Sequence, residues 1–326
     1  MIYLNDKSTD ELIQTVVSQL ENDAIKPYAA LGPTLAVIHQ EDLDKGSASY
    51  LSSLRATGMK YGAVVNDYVT HNVNEAAQFI SILSKDPTIH GIILISDYGS
   101  VMNRALYDLI PSRLDIDGLS YSSIGRLVDS NSTIAYRNAP CTAAACFKIM
   151  EAFRKKTRPK EKDFANDTCL IIGRSIRVGR PLAEILTQQN MTVTLAHSKT
   201  TYSTIFDSYN YVVSAIGKPN FWNEDNKLYH SKFDTRCYID VGMNVDENGK
   251  LCGDIDREWF NSLPNGSYGD NYITPVVGGV GKVTTTVLFA KLFNNAAEMF
   301  KNAAGIYQYP KQPSVASQAE DLIVTP

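Results

Sequence analysis

Three arginines fall within the short stretch LIIGRSIRVGRP, directly after an apolar run that stops at Gly173. Gly173 and Gly179 enclose Arg174 and Arg177, and Arg180 follows. A strand, a glycine turn and a helix N-terminus together surround a phosphate with backbone N–H groups, and arginine adds a planar fork of donors. The stretch therefore predicts a pyrophosphate site, with Arg174 as the favoured ligand. Arg177 and Arg180 are explained equally well as surface residues.

Alternating strands and helices must position this turn. Apolar runs predict strands at 34–39, 63–69, 90–96, 168–173, 192–197, 209–217 and 236–242. Helical spacing of apolar residues predicts helices at 8–23, 47–62, 72–86, 141–158, 178–190 and 285–305. Such alternation is typical of parallel α/β sheets, and its second half has the layout of a dinucleotide-binding domain.

The composition narrows the class of protein. The chain has 326 residues, 44% hydrophobic and 20% charged, with a formal net charge of −4. These values are ordinary for two soluble domains and favour neither nucleic acid nor an anionic membrane as a partner. No apolar run reaches the ~20 residues that span a bilayer, and no signal peptide is indicated. Five scattered cysteines suit reduced core thiols, so we predict a cytoplasmic protein.

Eleven short segments carry a resemblance to a known family. In chain order they are GPTLAVI (32–38), SASY (47–50), DIDG (115–118), GRL (125–127), PCT (140–142), GRSIRVGRP (173–181), HSKT (197–200), AIGKP (215–219), DVGMN (240–244), GDID (253–256) and TPVVGGVGKVT (274–284). In this order and spacing the chain resembles the methylenetetrahydrofolate dehydrogenase/cyclohydrolase family, up to about residue 305.

The resemblance implies an α/β fold of two domains with a cleft between them. The expected folate-binding catalytic domain comprises 1–145 and a C-terminal helix at 285–305, and the Rossmann-like NAD(P)-binding domain comprises 146–284. Residues 306–326 lack periodicity and are predicted to be a tail. The family also implies a homodimer and a tetrahydrofolate-type substrate.

Matching the family's motifs residue by residue implies a cofactor site at the carboxyl ends of the second set of strands. Its expected members are Gly173, Arg174, Ser175, Gly179, Ser198, Thr200, Ala215, Gly217, Val241, Gly242 and Thr284. No Asp or Glu stands in HSKT to bond a free ribose 2′-hydroxyl, whereas Arg174 and Ser198 can both donate to a 2′-phosphate. NADP is therefore expected in preference to NAD, which stays possible.

The same matching implies the substrate site. Tyr50 and Asp117 are the expected catalytic and substrate-binding residues, since Tyr50 can pack against a folate and Asp117 can accept N–H bonds from a pterin. Pro275, Gly278 and Gly279 belong to the loop expected to close over the nicotinamide. Asp115 is expected to be structural. We predict no metal, because neither His197 nor the EF-hand-like NVDENGKLCGDI has the required ligands.

Two substitutions separate the chain from this family. The cyclohydrolase lysine, four residues after the tyrosine, is Leu54, and the glutamine after a strand is Ile95, or Ser96 if the register slips. The proline-rich turn that follows is replaced by DYGS. Hydrolysis of a methenyl bridge needs proton transfer and charge stabilisation, which apolar side chains do not provide. Hydride transfer needs mainly positioning.

The leading hypothesis is an NADP-dependent 5,10-methylenetetrahydrofolate dehydrogenase that forms 5,10-methenyltetrahydrofolate without cyclohydrolase activity. Two alternatives stay open. One is a paralogue that oxidises or reduces a different pterin-like substrate, because Leu54, Ile95 and DYGS remodel one wall of the site. The other is a non-catalytic protein that binds NADP or folate.

Overall fold

The structure is a computed structural model and describes residues 6–95, 100–129, 139–161, 163–200, 209–225, 236–262 and 271–305. The tail predicted at 306–326, the alternative position Ser96 and the first three residues of DYGS lie outside the described residues.

The first half of the chain builds a three-stranded parallel sheet in the order β2-β1-β3. Asp44 accepts the first N–H groups of the second helix and Gly62 ends that helix at a φ of 77°, while Asn72 caps the third helix. These elements are α1 (Asp6–Leu20), β1 (Thr34–Gln40), α2 (Lys45–Tyr61), β2 (Val64–Thr70), α3 (Val73–Leu83) and β3 (Ile89–Ile95).

Three helices connect the two sheets: α4 (Ser100–Leu109), α5 (Tyr121–Asp129) and α6 (Cys141–Thr157). Of the three, only α6 is among the predicted helices; α4 and α5 are short amphipathic helices that are not predicted. Its first residues Cys141 to Cys146 are almost all buried, so that it runs through the interior.

The second half builds a five-stranded parallel sheet in the order β10-β7-β6-β4-β5. A short antiparallel hairpin, β8 and β9, turns at Gly249 with a φ of 78°. The elements are β4 (Thr168–Ile172), α7 (Gly179–Gln188), β5 (Thr192–Ala196), β6 (Tyr211–Ser214), β7 (Arg236–Asp240), β8 (Asn244–Val245), β9 (Leu251–Cys252), α8 (Arg257–Ser262), β10 (Asn271–Ile273) and α9 (Val280–Ala303).

One continuous apolar core joins the inner faces of both sheets. Helices α1, α6 and α9 form the layer between them and pack against one another. Smaller clusters cover the outer face of each sheet. The expectation of two α/β units is therefore confirmed, although they share their central helices.

The last helix begins at Val280 rather than at 285: Gly279, with a φ of −88° and a ψ of −119°, is its non-helical N-cap, and residues 280–284 already form the first turn. The Thr284 hydroxyl donates to the Val280 carbonyl at 2.9 Å, within the first turn. The domain boundaries expected at 145/146 and 284/285 thus fall inside α6 and α9. No secondary-structure element ends at either boundary, and the assignment of each domain to folate or cofactor stays a prediction. No helix in the described part of the chain is long and apolar enough to cross a membrane.

Candidate active site

The turn after β4 has room for glycine alone at two positions. Gly173 has a φ of 116°, and a Cβ there would lie 2.3 Å from the Ala215 carbonyl oxygen. A Cβ on Gly179 would lie 1.9 Å from the Gly173 carbonyl oxygen. Both contacts are below any van der Waals distance, so the turn folds tightly against the start of α7 and against the loop after β6.

The expected phosphate ligands lie together at the edge of the sheet. Arg174 and Ser175 are exposed on the turn, and Ser198 is exposed on the neighbouring turn after β5. The Gly173 N–H donates to the Ala196 carbonyl at 3.1 Å, which joins the two strand ends. No side chain caps α7 at Val178; within its first turn the Arg180 N–H donates to the Ser175 carbonyl at 3.2 Å, and Pro181 has no N–H.

The loop after β5 is a tight turn of its own. The Thr200 Oγ1 accepts the His197 N–H at 2.9 Å, and the Thr200 N–H returns to the His197 carbonyl at 2.8 Å. The Thr200 side chain therefore closes the turn, while Ser198 points outward and remains available to a ligand.

A buried carboxylate organises the loops after β6 and β7. Asp254 accepts the N–H groups of Ile216, Gly217 and Lys218 at 2.7 to 3.1 Å. A Cβ on Gly242 would lie 2.3 Å from Asp254 Oδ1, so this glycine makes room for the carboxylate. The expected cofactor residues at 215–217 and 241–242 thus share one internal support, a residue that the sequence does not single out.

The glycine loop 274–284 lies at the other side of the same edge. A Cβ on Gly279 would lie 1.9 Å from the Pro275 carbonyl oxygen, and Gly278 has a φ of 79° in open space. Pro275 is half-buried and Val277, where the family usually has proline, is exposed. Thr284 is buried and its hydroxyl donates to the helix backbone, so this hydroxyl is less accessible to a cofactor than expected.

The segment DIDG is shaped by its first aspartate. Buried Asp115 accepts the N–H groups of Gly118 and Ser120 at 2.9 Å and the Ser123 hydroxyl at 2.6 Å. Asp115 is therefore structural, as expected. It fixes the turn that presents Asp117 toward the second half of the chain.

Asp117 contacts a cation from the turn between Gly173 and Gly179. Its Oδ2 lies 3.5 Å from Arg177 Nη1, and Arg177 Nη2 donates to the Tyr107 hydroxyl. Burial raises the pKa of Asp117 above its usual value; the Arg177 guanidinium opposes this shift and the Asp115 carboxylate adds to it. Arg177 and Tyr107 are not among the expected site residues, although Arg177 is the middle arginine of the stretch that opens the sequence analysis.

Tyr50 borders the same region from α2. It is half-buried against the main core, and burial together with the Asp117 carboxylate raises its pKa well above 10. The phenol is therefore protonated at neutral pH, suited to packing and to donating a hydrogen bond. Leu54, one turn further along α2, is 0% exposed, and Ile95 at the end of β3 is 7% exposed.

Residues of both halves therefore meet here: Arg177 contacts Asp117 and Tyr107, and the Asp117 carboxylate influences Tyr50. Within the described ranges, His, Cys, Asp and Glu side chains form no group of three or more suited to a metal ion. No motif in the sequence indicates Tyr107, and α4, although amphipathic, is not among the helices predicted from the sequence.

The fold and this convergence define a two-domain α/β protein with a nucleotide-binding half. A sequence profile described as "Tetrahydrofolate dehydrogenase/cyclohydrolase, NAD(P)-binding domain" matches residues 140–300. The bifunctional protein FolD of Coprothermobacter proteolyticus is 35% identical over 273 residues, covering 83% of this chain and 92% of the relative. The chain belongs to the tetrahydrofolate dehydrogenase/cyclohydrolase family.

Two solved structures are similar over most of their length. The FolD methylenetetrahydrofolate dehydrogenase/cyclohydrolase of Campylobacter jejuni has a TM-score of 0.72 at 26% identity, covering 89% of this chain and 97% of that one. The bifunctional enzyme of Thermoplasma acidophilum has a TM-score of 0.69 at 28% identity, covering 90% and 97%. The resemblance inferred from the eleven segments is thereby confirmed.

Proposed function

We propose that the protein is an NADP-dependent 5,10-methylenetetrahydrofolate dehydrogenase that lacks cyclohydrolase activity. The proposal rests on which residues occupy two positions and on how these residues are buried. Asp117 is retained, in contact with a cation at the cleft, whereas Leu54 is fully enclosed in the apolar core. Residues for holding a pterin are present, and those for hydrolysing its methenyl bridge are replaced.

The turn between β4 and α7 fits a dinucleotide phosphate. Its two obligatory glycines bring backbone N–H groups and the exposed Arg174 and Ser175 to one place. Ser198 on the next turn adds a hydroxyl, and HSKT contains no carboxylate that would repel a 2′-phosphate. Charge-assisted bonds from arginine to phosphate are about twice as strong as neutral ones, which favours NADP over NAD. When bound, the nicotinamide supplies the hydride acceptor.

The substrate half is proposed to work by orientation. Ionised Asp117 accepts N–H groups from the pterin edge, Tyr50 packs against the ring system, and the loop with Pro275, Gly278 and Gly279 closes beside the reacting carbon. Holding two reacting groups in register lowers the barrier without acid–base chemistry from the protein. The tyrosine stays protonated at neutral pH, so we assign it no role as a base.

The proposed lack of cyclohydrolase activity follows from the apolar, buried side chains of Leu54 and Ile95. A group that assists water addition must reach the methenyl carbon and carry or accept a proton. Leu54 and Ile95 are apolar and pack into the core with their neighbours from β1 and α6. The loss of both polar groups leaves oxidation to the methenyl product as the reaction that the remaining residues support.

One assay tests the proposal. Purified protein is supplied with 5,10-methylenetetrahydrofolate and NADP or NAD, and the reduced cofactor and the methenyl product are followed by absorbance. Stoichiometric formation of both, faster with NADP, is expected. Separate titrations with NADP and tetrahydrofolate discriminate the alternatives: binding of NADP without tetrahydrofolate would favour a different substrate or a non-catalytic role and overturn the proposal.

On family grounds we further propose a homodimer located in the cytoplasm. Light scattering coupled to size-exclusion chromatography tests the first statement through the mass in solution. A monomer at micromolar concentration would contradict it. Localisation of the fluorescently tagged protein tests the second.

A further inference from the structure

Arg177 occupies an unusual place between the two halves of the site. It belongs to the turn bounded by Gly173 and Gly179, yet its guanidinium contacts Asp117 and Tyr107 from the first half of the chain. Its side chain is 50% exposed and that of Asp117 is 19% exposed, so the pair is partly accessible to solvent rather than enclosed in the core.

We infer that Arg177 is a positioning residue for substrate binding: carried by the turn that holds the cofactor phosphates, it keeps Asp117 ionised and aimed at the pterin. This inference rests on the proposed function for the identity of the pterin, but the contact between the two side chains does not depend on it. Nothing in the family resemblance assigns this residue a role.

The surroundings of Asp117 explain why a cation is needed there. Burial and the Asp115 carboxylate both disfavour its charged form. The other charged or titratable groups that face it are Lys291 from α9, the Cys141 thiol and backbone N–H at the start of α6, and the hydroxyls of Tyr50 and Tyr107.

Lys291 is held elsewhere by two carbonyls. Its ammonium donates to the Ala139 oxygen and lies 3.4 Å from the Ile116 oxygen. Arg177 is instead in direct contact with an Asp117 oxygen, and it is the strongest influence that favours the ionised form. A protonated carboxyl loses half its capacity as an acceptor, so an unpaired Asp117 would hold a pterin N–H poorly.

The Tyr107 hydroxyl gives the guanidinium a second anchor. Arg177 bonds both groups through different nitrogens, which fixes the plane of the fork. Lysine at this position would retain the charge but not the two-point geometry. The arrangement thus separates an electrostatic contribution, which lysine can supply, from an orienting one, which it cannot.

The test is a direct titration of Asp117. The Cγ resonance of carbon-13-labelled protein is assigned by its absence from D117N and followed with pH in the wild type, R177M, R177K and R180M. Arg180 is the matched control, because it removes an exposed charge two residues into α7. A partly exposed cation within 4 Å lowers a carboxyl pKa by about 1 unit. We expect R177M to raise the pKa of Asp117 by about 1 unit, R177K to restore at least half of this, and R180M to leave it unchanged.

Kinetics give the second readout. At a pH one unit below that at which Asp117 titrates in R177M, the KM for methylenetetrahydrofolate should rise by roughly three- to tenfold in R177M, with a smaller rise in R177K and with the dissociation constant for NADP changed less than threefold. Thermal unfolding of each variant verifies that it is folded. An Asp117 that titrates at the same pH in R177M and wild type overturns the inference, whatever the substrate is. A wild type that oxidises no methylenetetrahydrofolate would overturn the proposed function instead, and the titration would still decide the role of Arg177.

Discussion

Replacing Leu54 by lysine returns the residue type that the family usually has at this position, yet the single change should not create a cyclohydrolase. Leu54 is 0% exposed and packs into the core shared by the two sheets. The new side chain must either bury its ammonium among apolar groups or displace its neighbours. Neither outcome delivers a proton-handling group to the pterin.

The free energy of unfolding that L54K loses can be calculated from this burial. Enclosing a leucine contributes roughly 1.5–3 kcal/mol, and an uncompensated buried charge costs about 3–5 kcal/mol unless the group loses its proton. A total of about 5 kcal/mol is a large part of the 5–15 kcal/mol typical of a whole protein. Each kcal/mol corresponds to roughly 2–4 °C in a unit of this size, so L54K should lower Tm by about 10 °C or more.

The assay follows loss of 5,10-methenyltetrahydrofolate absorbance beside a thermal melt. L54M is the matched control: it conserves volume and should cost less than about 1.5 kcal/mol. The double variant L54K with I95Q supplies an amide partner and has the better prospect of hydrolysis. The reasoning is refuted if wild-type protein hydrolyses the methenyl compound, or if L54K gains activity with an unchanged Tm, since position 54 would then face the substrate.

Three further outcomes follow from the site. In calorimetric titrations, R174A should weaken the binding of NADP by roughly 10- to 100-fold and the binding of NAD by less than threefold, because it removes a charge-assisted bond to the 2′-phosphate. Equal losses of affinity would mean that Arg174 binds the pyrophosphate or supports the fold. D117N should raise the folate KM at least about tenfold with NADP affinity retained, and unchanged kinetics would reduce Asp117 to a turn residue. Burial raises the pKa of Asp240 to about 6, so the native state binds this proton more tightly than the unfolded chain does. The stability that this gives is fully present below about pH 4 and is lost as the pH rises through 6. Relative to D240N, urea unfolding of the wild type should therefore gain up to about 3 kcal/mol between pH 7 and pH 4; a constant difference between the two proteins would contradict this.

Much of the fold could be predicted because local rules and packing agree. Within the described residues, seven of the eight strands of the two parallel sheets stand where the sequence places them, and the edge strand β10 is not predicted. Strands β1, β3, β4 and β6 are almost wholly buried, which requires continuous apolar runs. Asn72 and Gly62 mark helix ends through capping and left-handed geometry, which are properties of single residues. The turn at Gly173 could be predicted for the same reason.

The rest depends on contacts between distant segments. Arg177 is indistinguishable from its neighbours in sequence, and only the closeness of the two halves brings it to Asp117. Asp254 supports three backbone N–H groups of a loop nearly forty positions away. Helix α9 starts five residues before the predicted position: the glycines there suggest a loop, whereas Val280, Val283 and Val287 pack as one helix face into the core.

Helix α9 also imposes an order on synthesis. Its wholly buried residues Leu288, Phe289, Leu292 and Phe293 complete the core beneath β1 and β3, although those strands end by residue 95. At about 5–20 residues per second, the ribosome needs about 10–30 s to add the roughly 160 residues between 140 and 303. We expect residues 1–140 to resist protease in the released full-length chain and not in ribosome-bound chains stalled before residue 280; resistance in the stalled chains would refute this. We therefore expect the amino-terminal half, though made first, to become stable only when the last helix has left the ribosome, with its apolar strands exposed to chaperones in the interval.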